Sequence, residues 1–208
     1  MKRFSFLILS FLFLFQTPLF ALGEKIIISH VAGQPQIIRD GKTIPAQAGA
    51  SCQTGDILKT VTPECHLDVA MNDLAGCRIL PSSECVIVNG SESSMRFQIK
   101  SGNAILNLKK LPANSTFEVE TPTAIAAVRG TQFWGRVDAN NIDNPVTTFA
   151  VREGMVNIFA KNVGKTFSLE KGQALDIPKD SSTAPVIRPA LETELKAMEQ
   201  ASSINTSA

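Results

Sequence analysis

Cysteine and histidine are the residue types best suited to metal, redox or nucleophilic chemistry, and this 208-residue chain has four cysteines and two histidines. The cysteines are Cys52, Cys65, Cys77 and Cys85. Their separations of 13, 12 and 8 residues match no Cys-x-x-Cys zinc or redox motif. Neither histidine belongs to an HExxH or similar helical metal motif. The sequence therefore predicts no metal site.

Motifs for phosphate binding and for hydrolysis are also missing from the sequence. Gly164-Lys165-Thr166 ends like a phosphate-binding loop, but Phe159 stands where that motif needs its first glycine, so we interpret the stretch as a hairpin turn. There is no Gly-x-Ser-x-Gly nucleophile elbow, and the carboxylates are scattered rather than paired as in a glycosidase. Trp134 is the only Trp and there is no Tyr, which disfavours a sugar-stacking platform and predicts Trp134 in the core or at its rim. We expect no catalytic residue, no cofactor and no enzymatic activity.

The first 23 residues have the pattern of a secretory signal peptide. Lys2 and Arg3 form a short basic region, twelve largely apolar residues follow, and small residues end the segment at Ala21-Leu22-Gly23. A membrane-spanning helix needs roughly 20 apolar residues, so we predict cleavage after Gly23 or after Ala21. No later stretch resembles a membrane span. The mature protein is expected to be periplasmic, attached to the cell surface or secreted.

The mature chain from residue 24 would carry 18 basic and 19 acidic residues, a net charge of −1. Without a basic excess, the composition gives no support for nucleic-acid binding. An even number of cysteines in an exported chain favours two disulfides. Three pairings are open: hairpin geometry would let Cys52 reach Cys65 and Cys77 reach Cys85, and free buried thiols are the alternative.

Residues 24 to 180 consist of short runs rich in Val, Ile, Thr and Phe, separated by turn residues about every eight to twelve positions. This spacing predicts one all-β domain, either a compact twisted β-solenoid or roll, or a sandwich-like domain. Asp40-Gly41 and Asn89-Gly90 are predicted type I′ turns. Alternation in residues 65–71 predicts that His66 and Asp68 face water. Residues 124–128 are apolar throughout, which predicts a strand covered on both faces.

Residues 181 to 208 form a second region, a linker followed by a helical tail. The linker is rich in Ser, Asp and Pro, and the spacing of Leu191, Leu195 and Met198 predicts a short amphipathic helix over residues 190–200. Three apolar residues make a small face, so we expect the helix to cap the β domain or to fray. A helix that binds a partner is the alternative.

Two motifs in the β domain resemble the FecR domain family. They are Thr121-Pro122-x-Ala124 and, four residues on, Val128-Arg129-Gly130-Thr131-x-Phe133. Upstream, the stretch from Gly55-Asp56 to Thr60 is similar to that family's Gly-Asp-x-x-x-Thr element. Residues 151–156 and 171–175 continue the pattern, so the resemblance covers roughly residues 30 to 177.

The resemblance implies an all-β periplasmic module without catalytic residues. Founding members of the family pass a signal from an outer-membrane receptor through one membrane helix to a cytoplasmic sigma-factor regulator. For this chain we expect a free-standing exported FecR-like domain, which binds an envelope protein or a cell-wall polymer. A signalling protein related to the FecR-type regulators is the alternative. The motif residues given a structural role are Asp56, Thr121, Pro122, Val128, Arg129, Gly130, Thr131 and Phe133.

Arg129 has two physical interpretations that lead to different experiments. It follows an all-apolar run, which suggests a partly buried guanidinium that needs a fixed partner, and Asp56 is our first choice of partner. The other interpretation is an exposed anion-binding site. Gly130, inside a strand-like run, predicts a β bulge or a close backbone approach.

Overall fold

The computed structural model of the protein describes residues 25–91, 93–138, 143–180, 184–200 and 204. The predicted signal peptide lies outside these ranges. Within them the chain forms many strands and one short C-terminal helix, which confirms the all-β prediction. The elements are β1 (Ile26–Ala32), β2 (Gln36–Arg39), β3 (Lys42–Pro45), β4 (Ser51–Cys52), β5 (Ile57–Thr60), β6 (His66–Met71), β7 (Ala75–Ile79), β8 (Ser83–Gly90), β9 (Ser94–Leu108), β10 (Thr116–Glu120), β11 (Ala124–Val128), β12 (Gln132–Asp138), β13 (Val146–Glu153), β14 (Met155–Ala160), β15 (Lys165–Glu170), β16 (Gln173–Pro178), β17 (Ile187–Pro189) and α1 (Glu192–Gln200).

The strands form two sheets that share β9. Sheet A has the order β4-β1-β6-β7-β9-β12-β13-β16-β17. Sheet B has the order β3-β2-β5-β8-β9-β10-β11-β14-β15. All these pairings are antiparallel except β9 with β10. Neither sheet closes into a barrel. Among the described strands, β4 and β17 are the edges of sheet A, and β3 and β15 are the edges of sheet B.

The change of sheet within β9 depends on a glycine. The first half of β9 pairs with β8 and β10, and the second half pairs with β7 and β12. Gly102 lies at the change with a φ of 80°, and a Cβ there would overlap Ser83. Only glycine combines this φ with such a close backbone approach.

The core lies between the two sheets as one hydrophobic cluster. Its largest side chains are fully buried phenylalanines contributed by β9, β10, β12 and β13, and they are Phe97, Phe117, Phe133 and Phe149. The rings of Phe133 and Phe149 have centroids 6.3 Å apart. Burying each such side chain stabilises the fold by roughly 1.5–3 kcal/mol.

The two predicted hairpin turns have different outcomes. Asp40 and Gly41 join β2 to β3 with φ values of 50° and 74°, which confirms a turn with positive φ at both central positions. The Asn89-Gly90 prediction is wrong, because both residues belong to β8 and pair with Arg96 and Met95. The connection to β9 follows Gly90.

The C-terminal helix caps the outer face of sheet A, which is the first of the two outcomes that the sequence left open. Met198 is fully buried and packs with Ile105, Trp134 and Ala150 in a second apolar cluster. Gln132 Nε2 donates to the carbonyl of Met198 over 3.2 Å. Trp134 is only 8% exposed, which agrees with its predicted place in the core or rim.

The prediction that Asp68 faces water is wrong. Asp68 is 4% exposed and accepts two hydrogen bonds from Arg78, of 2.7 and 2.6 Å. Arg78 Nη1 also donates to the carbonyl of Gln200 at the end of α1. Polar and apolar residues do alternate at the start of this strand, but its polar face lies beside α1 rather than in water.

The prediction of two disulfides is corrected by the structure, in which all four cysteines are buried and free. Cys52 pairs with Ile26 at the start of β1, whereas Cys65 packs against Gly33, just beyond its end. The length of β1 separates these two cysteines by roughly 20 Å, and a disulfide needs Cα atoms within about 7 Å. Cys77 and Cys85 share the core cluster without a bond between them.

Burial also changes the acidity of three of these thiols. It raises the pKa of Cys52 to about 12. Burial raises the pKa of both Cys77 and Cys85 as well. Because the thiolate is the reactive form, the structure gives these cysteines the character of inert core residues.

Candidate functional site

The Thr-Pro-x-Ala element is the turn between β10 and β11. Thr121 is fully buried, and its backbone N–H donates to the carbonyl of Ala124 over 2.9 Å. Its hydroxyl oxygen accepts hydrogen bonds from the backbone of Ala124 and from the hydroxyl of Thr147, each 3.0 Å long. Pro122 is exposed at the corner of the turn. These contacts fix the entry angle of β11.

The Val-Arg-Gly-Thr-x-Phe element carries the chain from sheet B to sheet A. Val128 ends β11 and Phe133 lies in β12, and both are buried. Between them Gly130 has a φ of 68°, and the carbonyl of Thr131 accepts a 2.9 Å hydrogen bond from Leu108. The register of β12 against β13 shifts between Gln132 and Phe133, so the predicted bulge lies two residues beyond Gly130.

The close backbone approach predicted at Gly130 is made with a second glycine. A Cβ on Gly154 would lie 2.7 Å from the carbonyl oxygen of Gly130. A Cβ on Gly130 itself would meet Lys110 Cα at 3.4 Å, an ordinary contact. The conformation of this crossing therefore depends on the backbone freedom of Gly130 and on the small size of Gly154.

The pairing predicted for Arg129 is wrong. Asp56 is fully buried and binds Arg39 instead, with hydrogen bonds of 2.8 Å from Nε and 2.6 Å from Nη2. The backbone N–H of Gln53 donates a third bond of 2.9 Å. Hydrogen bonding to Asp56 raises the pKa of Arg39. Asp56 thus fastens the β2–β3 hairpin to the start of β5.

Arg129 is exposed. The structure describes seven arginines, and six of them donate a hydrogen bond to a side-chain oxygen, namely Arg39, Arg78, Arg96, Arg136, Arg152 and Arg188. Among the described residues Arg129 has no such partner.

The prediction that residues 124–128 are covered on both faces is also wrong, because Ala127 is exposed and Ile125 is partly exposed.

A groove of about 420 Å³ opens beside Arg129 on the outer face of sheet B. The groove is lined by Ser115, Thr116, Phe117, Glu118, Ala127, Val128, Arg129, Met155 and Asn157. Met155 is 50% exposed although it is apolar. Glu118, the one carboxylate of the lining, is paired with Arg96 at 2.7 Å.

Two lysines add positive charge near this groove. Lys109 and Lys110 are exposed and follow the end of β9, and Lys110 packs against Gly130, next to Arg129. The ion pairs of the described residues include neither lysine. Glu153 and Glu170, beside Met155, are exposed carboxylates that the ion pairs also do not include, so this part of the surface has one cation more than it has free carboxylates.

No metal centre is found in the part of the chain that the structure describes, where no three His, Cys, Asp or Glu side chains are grouped to hold an ion. His30 and His66 stack with ring centroids 5.3 Å apart. Burial, followed by the charge of Arg78, lowers the pKa of His66. None of the described helices is long and apolar enough to cross a membrane.

Residues 58–157 match the family described as FecR protein. The matched range includes the Thr-Pro-x-Ala turn, the Arg129 crossing and the groove. Residues 58–157 belong to the FecR family. A search of curated proteins found no match.

The chain also resembles two crystal structures of a protein assigned as an anti-sigma factor from Parabacteroides distasonis. The TM-score is 0.57 in both cases, with sequence identities of 14% and 15%. The superposition covers 69% of this chain but 64% of that protein, less than two thirds of its length. At this identity the similarity shows a shared fold.

Proposed function

We propose that this chain is an exported, non-enzymatic regulatory module that acts by binding a protein partner in a signalling pathway. The observation that carries the proposal is the family match over residues 58–157, which spans the Arg129 crossing. The fold shared with a protein assigned as an anti-sigma factor supports a regulatory role. Of the two functions suggested by the sequence, the signalling alternative therefore has more support than binding to an envelope protein or cell-wall polymer without a regulatory role.

The chemistry of the surface agrees with a binding role. Outside the ion pairs, the groove beside Arg129 offers one cation, apolar side chains, one amide and the hydroxyls of Ser115 and Thr116, while its one carboxylate, Glu118, is held by Arg96. Such a lining can hold a ligand without transforming it. Its apolar exposed part suits a protein partner better than a highly hydrated polymer.

Export is the part of the proposal that depends on the signal peptide. If residues 1–23 are removed on export, the intact mass of the purified native protein lacks them. A mass that still includes residues 1–21 would contradict export with cleavage.

The regulatory role is tested in the organism that encodes the protein. We expect deletion of the gene to change transcription of a limited gene set, and re-expression of the full chain to restore it. Affinity capture of the tagged full chain from an envelope extract should recover the same protein in independent preparations. An unchanged transcriptome together with no reproducible partner would refute the proposal.

A further inference from the structure

We propose that the groove beside Arg129 is the partner-binding site, and that it holds an extended acidic segment of the partner protein with a carboxylate on Arg129. This inference rests on the proposed function, because it assumes a protein partner. It adds the chemical class of the bound segment and the residues that recognise it.

The first observation behind the site is the isolation of the Arg129 guanidinium. A planar guanidinium presents donors that match a carboxylate in two-pronged geometry. The other arginines of the described residues use their donors within the chain, on Asp, Glu or Gln oxygens. Arg129 keeps its full set of donors for a ligand from outside.

The second observation is the charge around the groove. Glu118 lies in the lining, but Arg96 neutralises it through two hydrogen bonds of 2.9 and 2.7 Å. Glu120, the next outward carboxylate on β10, is paired with Lys161 at 2.9 Å. Glu153 and Glu170, beside Met155, are exposed carboxylates outside the described ion pairs, but Arg129, Lys109 and Lys110 outnumber them, so the net charge is positive. Complementary charge on the partner is therefore negative.

The third observation is the apolar row beside Arg129. Met155 and Phe159 on β14 are 50% and 41% exposed, and alternation places both on the outer face with Asn157 between them. Ile125 pairs with Phe159 and widens the row. The four residue-to-residue steps from Met155 to Phe159 span roughly 13 Å, the length of an extended peptide segment of about five residues.

These observations select a peptide segment over a phosphate-rich polymer. A polyanion would gain from Arg129 and the lysines, but it has no apolar groups to cover Met155 and Phe159. A segment with one acidic residue next to apolar residues satisfies both parts of the surface. Its apolar side chains would remove exposed apolar area from water, and its carboxylate would take up the free donors.

Photo-crosslinking in the producing organism tests the site directly. The probe is p-benzoyl-phenylalanine in place of Asn157, in the middle of the groove lining, in the full chain. After irradiation we expect one main adduct with a protein. Mass spectrometry of the crosslinked peptide should show an acidic residue flanked by apolar residues. An adduct with lipid or polysaccharide, or no adduct, would overturn the inference.

A charge series gives the matched controls. Arg129→Glu in the probe-bearing chain should lower the adduct yield at least about tenfold, and Arg129→Gln should lower it less, because charge reversal adds repulsion. Arg136→Gln removes an exposed arginine from sheet A and should leave the yield unchanged. Equal yields from Arg129→Glu and the unaltered chain would overturn the inference. The melting temperature of each variant shows that the chain is folded.

Affinity capture separates failure of the site from failure of the function. If the unaltered chain and Arg129→Glu recover the same partner equally well, the partner binds elsewhere, so the proposed function stands and the groove inference is wrong. If neither chain recovers a reproducible partner, both proposals are wrong.

Discussion

On the outer face of sheet A, α1 covers Ile105, Trp134 and Ala150, whereas on the outer face of sheet B no described element covers Ile125, Met155 and Phe159. Each face also carries a cross-strand pair of arginine and carboxylate. In the Arg78–Asp68 pair of sheet A, the side chains are 18% and 5% exposed. In the Arg96–Glu118 pair of sheet B, they are 44% and 32% exposed. The same chemistry is therefore structural on one face and accessible on the other.

The largest expected effect separates these two ion pairs. Asp68→Ala should cost about 3–5 kcal/mol in the free energy of unfolding, because it leaves the guanidinium of Arg78 largely buried without its partner. Glu118→Ala should cost at most about 1 kcal/mol, since exposed pairs contribute little. Urea unfolding of both variants measures the difference. Similar costs for the two would show that burial does not distinguish the faces.

A methionine pair gives the next largest contrast. Met198 is fully buried under α1, so Met198→Ala should destabilise the protein by about 2 kcal/mol, or undock the helix. Met155 is half exposed on sheet B, and Met155→Ala should change stability by less than about 0.5 kcal/mol. Thermal unfolding followed by circular dichroism compares the two. A larger loss for Met155→Ala would reverse our assignment of the covered face.

The sequence predicts features of this contrast that depend on local chemistry. The Asp40-Gly41 turn follows from two residues that tolerate positive φ, and the position of α1 follows from the spacing of Leu195 and Met198. The family motif is also local, and the crossing from β11 to β12 lies within it. Such features need only a short window of sequence.

Pairings between distant segments could not be predicted in the same way. Asp56 binds Arg39 because β2 pairs with β5 in a register that places Ile38 opposite Ile57. No local signal gives that register, so Arg129 was an equally reasonable partner for Asp56. The cover over Asp68 comes from a helix more than 100 residues away in the chain, and this explains why simple alternation misplaced that side chain.

Acid should weaken the covered face of sheet A. Burial tends to raise the pKa of Asp176, but hydrogen bonds from Arg188 and Thr148 outweigh it and hold that pKa below its usual value. Arg188 also binds Glu194 at the start of α1. Asp176 therefore helps to fasten the helix through Arg188. A group with a lowered folded pKa stabilises the fold above its unfolded pKa, about 3.9, and this stabilisation is lost as pH falls through the folded value.

The single tryptophan reports this loss. Trp134 lies beneath α1, so its emission should shift to longer wavelength as pH falls below about 4 and the helix loosens. In Asp176→Asn the part of the shift that depends on this carboxylate should be absent. This role of Asp176 would be contradicted if two signals stayed constant down to pH 3. They are the emission maximum of Trp134 and the far-ultraviolet circular dichroism.

The smallest expected effect on stability belongs to Arg129, and it is the sharpest test of the open face. Because the guanidinium is exposed and makes no hydrogen bond within the described residues, Arg129→Gln should change the free energy of unfolding by less than about 0.5 kcal/mol. The melting temperature should then stay within a few degrees of the unaltered protein, and Arg129→Lys should behave in the same way. A buried, paired arginine would instead lose several kcal/mol in both variants, since lysine cannot reproduce its two-pronged contact. A strong loss of stability in Arg129→Gln would therefore return Arg129 to a structural role and remove the free cation on which the partner-binding groove depends.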